Sequence, residues 1–279
     1  MKYLFIIFSL FTLTLSAQND LQFDKRFVQC EDKWVAFTPN EGNQYTFGFI
    51  YIDEQAGLTL NYEGTFKILA SGEFIPQKLD STSMKVRLEP NNVLVALIPE
   101  NKFEELDIKA TPEWLKYYKT DINSVERLYK WGYMYNGWNE CAKALTYLEK
   151  AKTIDPNYKG LSVEIAYSYN CLHQFENAGK ILEEEITKNP ADAYVNKEYI
   201  YSYSKTDNID KAITQYNKSL KTVKDKTYNA ENCFNIMQYY YTKNDKDNFD
   251  IWFKKFEKYK VNNSAMTQYA KQMKTALNK

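Results

Sequence analysis

The chain reads as two parts: a small all-β antiparallel unit, sandwich- or barrel-like, followed by an all-α solenoid of stacked helix pairs. Three observations predict this. Up to about residue 110, short runs rich in β-branched and aromatic residues alternate with turn signals. At Thr111-Pro112 the pattern becomes helical. Beyond that point, chosen residue types recur at a period of 34, the signature of stacked helical hairpins.

The elements are taken in chain order. Residues 1–17 read as a secretory signal: Lys2 is a short positive start, Leu4 to Leu15 is uncharged and largely apolar, and Leu-Ser-Ala precedes a cut at Gln18. The apolar run is short for a membrane span, and no second such run follows, so no integral membrane segment is expected after signal removal. In the 20–110 part the strand-like runs are Lys33 to Phe37, Tyr45 to Tyr51, Leu58 to Tyr62, Thr65 to Ile68, Met84 to Leu88 and Val93 to Leu97. Turns are expected at Pro39-Asn40, Asp53 to Gly57, Glu63-Gly64, Ser71-Gly72 and Pro90 to Asn92. Thr111 suits a helix cap and Pro112 a first turn, so 112–122 is expected as a linker helix. Residues 123–260 carry about four helix pairs. The segment 263–279 closes the stack, with Met266, Tyr269, Ala270, Met273 and Leu277 on one face of a capping helix.

The period is carried by Ala144, Ala178 and Ala212, by Pro156 and Pro190, and by Tyr135, Tyr169 and Tyr203. Small residues let two helices cross closely, and Pro follows the second helix of each pair. With these spacings the C-terminal half resembles the tetratricopeptide repeat (TPR) family. Residues 125–158 supply Gly132, Tyr135, Ala144, Leu148, Ala151 and Pro156 at the motif positions. Residues 159–192 supply Ala166, Tyr169, Ala178, Leu182 and Pro190, with Glu185 departing from the small residue. Residues 193–226 keep Tyr203, Ala212, Tyr216 and Ser219, but carry Ile200 and Lys224 where Gly and Pro are usual. In a degenerate fourth unit Tyr240, Phe253 and Phe256 keep the spacing, while Phe249 replaces Ala.

The resemblance implies a concave groove lined by the first helix of each pair, open to a protein or peptide partner. It places Tyr133, Tyr167 and Tyr201 on that surface, with Asn136, Asn170 and Ser204 beside them and Tyr129 in the first unit. Tyrosine offers a broad apolar ring and a polar tip, which suits such contacts. The equally simple reading of a chain with 24 tyrosines is that these rings pack along the helices. Family members that clamp a chaperone's C-terminal carboxylate use Lys and Asn where this chain has Tyr129 and Tyr133, so that activity is not implied. The resemblance also brings Cys141 and Cys171 to neighbouring helix ends, where they make a possible disulfide; two unbonded thiols are the default. Export permits a bridge.

Several function classes recede. Formal net charge is zero and Arg occurs only at 26, 87 and 127, which argues against nucleic-acid binding. The single histidine, His173, excludes a His-His metal site, and it reads as a turn residue rather than as an acid–base partner of Glu176. No nucleophile-elbow, phosphate-loop or dinucleotide motif appears, so no cofactor, metal or enzymatic activity is expected. The triplet Glu183 to Glu185 reads as a solvated helix face. Charge is uneven, with 9 Lys/Arg against 15 Asp/Glu over 18–111 and 26 against 21 over 112–279. Such fields act over only about 8 Å at physiological salt, so this split assigns no partner. The Arg-poor, Lys- and Tyr-rich composition and the signal suggest a bacterial periplasm or cell surface. The reading is therefore an exported adaptor or scaffold. Its rival is a carbohydrate-binding or glycan-active β domain with Trp34, Phe37, Tyr45 and Tyr51 as a sugar platform and the repeats as a spacer.

Overall fold

A computed structural model describes residues 21–40, 42–78, 84–259, 261 and 264–278. The expected signal, 1–17, lies outside the described residues. The chain divides after Thr120 into two compact units.

The first unit is one antiparallel sheet. Its strands are β1 (Lys25–Arg26), β2 (Lys33–Phe37), β3 (Gln44–Asp53), β4 (Gly57–Ile68), β5 (Phe74–Lys78), β6 (Met84–Arg87) and β7 (Leu94–Leu97). They are ordered β1-β7-β2-β3-β4-β5, with β6 pairing the other half of β4. The turn expected at Glu63-Gly64 is instead a bulge inside one long strand. Phe47 pairs Gly64 and Gly48 pairs Tyr62, so Glu63 is the extra residue. The bulge shifts the alternation, which places Phe66 opposite Tyr45 on the face that also carries Phe47 and Phe49. Gly64 is required there, because a Cβ would run into the Gln77 carbonyl. Strand β5 escapes the sequence pattern because Pro76 interrupts it. A strand lacking an amide N–H is tolerated at a sheet edge.

The aromatic face is a core. Trp34 and Phe49 meet at 5.1 Å, Tyr45 and Phe66 at 5.1 Å, and Phe66 and Phe74 at 4.8 Å. Trp34, Tyr45 and Tyr51 are buried in it, so the expected sugar platform does not exist as an exposed surface. The region expected as a linker helix, 112–122, contains a short 3-10 helix at Glu113–Tyr118, with no side-chain cap from Thr111. Its aromatic residues are drawn into the sheet: Trp114 lies 5.0 Å from Tyr51 and 5.7 Å from Phe49, and Tyr118 lies 4.7 Å from Tyr51. The Trp34 indole donates to the Lys109 carbonyl at 2.8 Å, which pins the chain leading into this turn. Burying these rings outweighs the local preference for a continuous α-helix.

The second unit is a TPR-like helical stack. Its pairs are α1 (Val125–Gly137) with α2 (Cys141–Ile154), α3 (Leu161–Cys171) with α4 (Phe175–Lys188), α5 (Ala193–Ser204) with α6 (Ile209–Thr222), and α7 (Asn229–Thr242) with α8 (Lys246–Phe256). Ala144, Ala178 and Ala212 are fully buried at the helix crossings, and a Cβ on Gly132 would strike Leu148. Pro156 and Pro190 follow the ends of α2 and α4, where a missing amide N–H costs nothing. The fourth pair packs despite its bulky residues: Phe249, Trp252, Phe253 and Phe256 all enter the core. The last helix, α9 (Ser264–Ala276), buries Ala270 and Met273 against that core and leaves Tyr269 exposed.

Cys141 opens α2 and Cys171 closes α3. The two are joined as a disulfide with Cα atoms 6.2 Å apart, where unbonded thiols were the default expectation. Cys30 and Cys233 are buried free thiols. The bridge closes an interval of 30 residues, for which chain entropy gives about 3–4 kcal/mol. Cys171→Ser in the full chain is therefore expected to lower the urea midpoint of the helical unit, and reductant should reproduce that loss in the wild type. Coincident curves with and without reductant would show that the bridge adds no stability.

Candidate functional site

The predicted partner-binding residues all lie on the first helices α1, α3 and α5, but the structure sorts them into two sets. Tyr133 is 59% exposed. Tyr129 is half-buried, 6.4 Å from Tyr133 and 5.1 Å from Tyr158. Its hydroxyl rests on Gly160, where the backbone has φ 84° and a Cβ would lie 2.7 Å from the oxygen. Tyr167 and Tyr201 are half-buried. Tyr201 meets Phe175 edge-on at 6.1 Å. The hydroxyls of Tyr167 and Tyr201 both lie in the field of Glu198 and Lys197, and burial raises the pKa of each. All four rings keep part of their surface in solvent.

Asn136 and Asn170 are turned into the stack rather than onto its surface, which corrects the sequence expectation, while Ser204 lines only the cleft at the end of α5. All three are buried. The Asn136 amide donates to the Glu164 carbonyl at 3.0 Å and to Glu164 Oε2 at 2.9 Å, and its oxygen accepts from Ser168 Oγ at 2.8 Å. One repeat on, Asn170 donates to Glu198 Oε2 at 2.8 Å and accepts from Ser202 Oγ at 2.8 Å. Each amide therefore ties one first helix to the next. A buried amide without partners costs about 1–3 kcal/mol, so these positions are structural. Ser204 does not extend the series: its hydroxyl donates to the Tyr201 carbonyl at 2.8 Å. Glu164/Glu198 and Ser168/Ser202 were missed from sequence, yet each pair is spaced by 34, the period already carried by Ala, Pro and Tyr.

Beneath the tyrosines lies an ionic cluster. Lys197 reaches Glu198 Oε1 at 2.5 Å and Glu231 Oε1 at 3.6 Å. Its ammonium also sits 5.3–5.8 Å from the ring centres of Tyr194, Tyr167 and Tyr228. Burial pulls the Lys197 pKa down, but the two carboxylates outweigh it and hold the group above its ordinary value. Glu164 is 2% exposed, and the charge of Lys197 is the smallest of the influences on it. Burial pushes its carboxyl up to about 7; Glu198's charge adds to the rise, and hydrogen bonds from Asn136 and Tyr194 oppose it. His173 is an exposed turn residue at φ 59°, matching Asn139 at φ 60° one repeat earlier. Glu183 is not simply solvated: it accepts from Tyr203 Oη at 2.7 Å and pairs with Lys211 at 2.6 Å. Among the described residues no group of three metal-ligating side chains converges, and no helix is long and apolar enough to cross a membrane.

The Glu164 shift sets a pH dependence. Its folded pKa, about 7, lies above the ordinary 4.5, so its contribution is fully present below pH 4.5 and is lost as pH rises through 7. The loss is at most about 3 kcal/mol. Glu164→Gln keeps a hydrogen-bonding oxygen but cannot ionise. Denaturant unfolding at pH 5 and pH 8 should show the wild type losing stability relative to this variant as pH rises. A constant difference between the two proteins across that range would contradict the assignment.

No protein-family model and no curated protein matches the chain. Among solved structures it is similar to a crystal structure of MamA at 23% identity, over 52% of this chain and 83% of that one, with a TM-score of 0.43. A MamA fragment from Desulfovibrio magneticus matches at 20% identity over 57% of this chain and 84% of that one, also with a TM-score of 0.43. A tetratricopeptide repeat protein from Parabacteroides merdae matches at 14% identity over 64% of this chain and 63% of that one, with a TM-score of 0.44. The TPR-like fold of the helical unit rests on this chain's own 34-residue period and helix pairing rather than on likenesses of that size.

Proposed function

We propose that the protein is an exported, non-enzymatic adaptor that holds a protein or peptide segment along the first-helix face of its repeat stack. Tyr129, Tyr133, Tyr167 and Tyr201 are the contacts. One observation carries this reading: a ring as exposed as Tyr133 is backed by Tyr129 and followed one and two repeats on by the part-exposed rings of Tyr167 and Tyr201. Exposed aromatics on a fixed backing present a large contact area at little entropic cost. Their backing is fixed because the helices beneath them are tied by the Asn136 and Asn170 amides. The Cys141–Cys171 bridge supports an oxidising compartment and so supports export.

The test is retention of a partner from an envelope extract by the full mature chain and by a Tyr133→Ala, Tyr167→Ala, Tyr201→Ala variant, with circular dichroism and melting to check folding. A photo-crosslinking residue placed at position 133 should label the retained protein. The same residue in place of Thr146, on the second helix α2, should not. Equal retention by both chains, or equal labelling from both positions, would show that the rings are packing only.

A further inference from the structure

An open cleft of about 850 Å³ lies between the C-terminal ends of α5 and α7, the start of α4, and α9. That size falls within the range of small-molecule sites. On its wall stands Lys205, half-buried, with its ammonium 5.2 Å from the Tyr201 ring centre. Two other lysines of this unit have carboxylate partners: Lys197 has Glu198 and Glu231, and Lys211 has Glu183. Lys243, at the same cleft, pairs with Asp207 at 2.8 Å. Among the described residues no carboxylate pairs with Lys205, and burial lowers its pKa. A desolvated ammonium without a counter-charge is a standing cost that an anion would relieve.

A second donor stands beside it. Lys205 Nζ donates to Gln238 Oε1 at 2.9 Å. An ammonium can only donate, so this bond turns the amide oxygen of Gln238 toward Lys205 and leaves its NH₂ as a further donor at the cleft. The rest of the wall includes Tyr239, Tyr241 and Tyr269, with Met273 beside them. Tyr269 is exposed on α9, so its ring is free to meet a ligand. Asp207 is engaged by Lys243, which leaves Glu176 on the rim as the opposing charge.

We propose that this cleft binds a small organic carboxylate with a ring body. The carboxylate sits on Lys205 Nζ and Gln238 Nε2, and the ring lies against the tyrosines. This site does not rest on the adaptor reading, because neither the exposed ring of Tyr133 nor the half-buried ring of Tyr129 lines it.

The probe is 4-hydroxyphenylacetate, titrated into the full mature chain by calorimetry and ligand-observed NMR, with neutral 4-hydroxyphenylacetamide and inorganic phosphate as comparators. The acid should bind at least about tenfold more tightly than the amide or phosphate. Lys205→Gln should remove that preference, Tyr269→Ala should weaken the acid severalfold, and Glu176→Gln should tighten it. Tyr133→Ala should leave it unchanged, which separates this site from the proposed adaptor surface. Because Tyr269 is exposed, its variant remains informative if Lys205→Gln fails to fold. No binding of the acid up to about 10 mM, equal binding of acid and amide, or equal binding of phosphate overturns the proposal. So does binding by a folded Lys205→Gln chain that matches the wild type, or a Tyr269→Ala variant without effect.

Discussion

The helical unit depends on a polar tie repeated at the spacing of its hairpins. A side-chain amide on one first helix is satisfied at both ends by the next: its NH₂ by a glutamate, its oxygen by a serine. Asn136 meets Glu164 and Ser168 in this way, and Asn170 meets Glu198 and Ser202. Apolar packing alone tolerates some sliding of one helix along another. Directional bonds to buried groups do not, because each misplaced donor or acceptor loses its partner without regaining water. Hence successive first helices keep a fixed register, and the tyrosines on their outer side keep a fixed spacing.

Satisfying amides with carboxylates has an electrostatic consequence. Glu164 and Glu198 are both buried, one repeat apart. Lys197 neutralises Glu198 directly, while Glu164 relieves its own charge by holding a proton near neutral pH. Tyr194 and Tyr167 surround the same centre and screen it from water. The order ends toward α7. Ser204 turns to its own helix, and buried atoms of Asn232 and Asn235 have no hydrogen-bond partner. That is also where the repeat motif degenerates and where the cleft with Lys205 opens.

The β unit is organised by shape rather than by a repeat. Its aromatic core forms because a bulge at Glu63 lets Phe66 join the face of Phe47 and Phe49, and because Trp114 and Tyr118 fold back onto that face. The alternating rings of Tyr45, Phe47, Phe49 and Tyr51 form one buried face. Neither the bulge nor the 3-10 turn was visible beforehand. Glu63-Gly64 has the chemistry of a turn and Thr111-Pro112 that of a helix start, and both signals are local. The contacts that override them come from residues up to about seventy positions away, as between Tyr118 and Tyr51.

By itself the sequence determined the helix pairs, their crossings and their ends. Those features follow from residues close in the chain: a small residue where two helices of one hairpin meet, and a proline where the second one stops. The resemblance to the TPR family then implied one first-helix face carrying Tyr133, Tyr167 and Tyr201. Only the tertiary structure decided which polar residues on that face are surface and which are ties. Asn136 and Asn170 sit on the correct helices for a partner, but their hydrogen-bonding groups meet a glutamate 28 residues on, across a helix–helix interface. Helical periodicity fixes the direction of a side chain and says nothing of what stands there; that depends on how closely the next hairpin stacks, which is a property of the packed core.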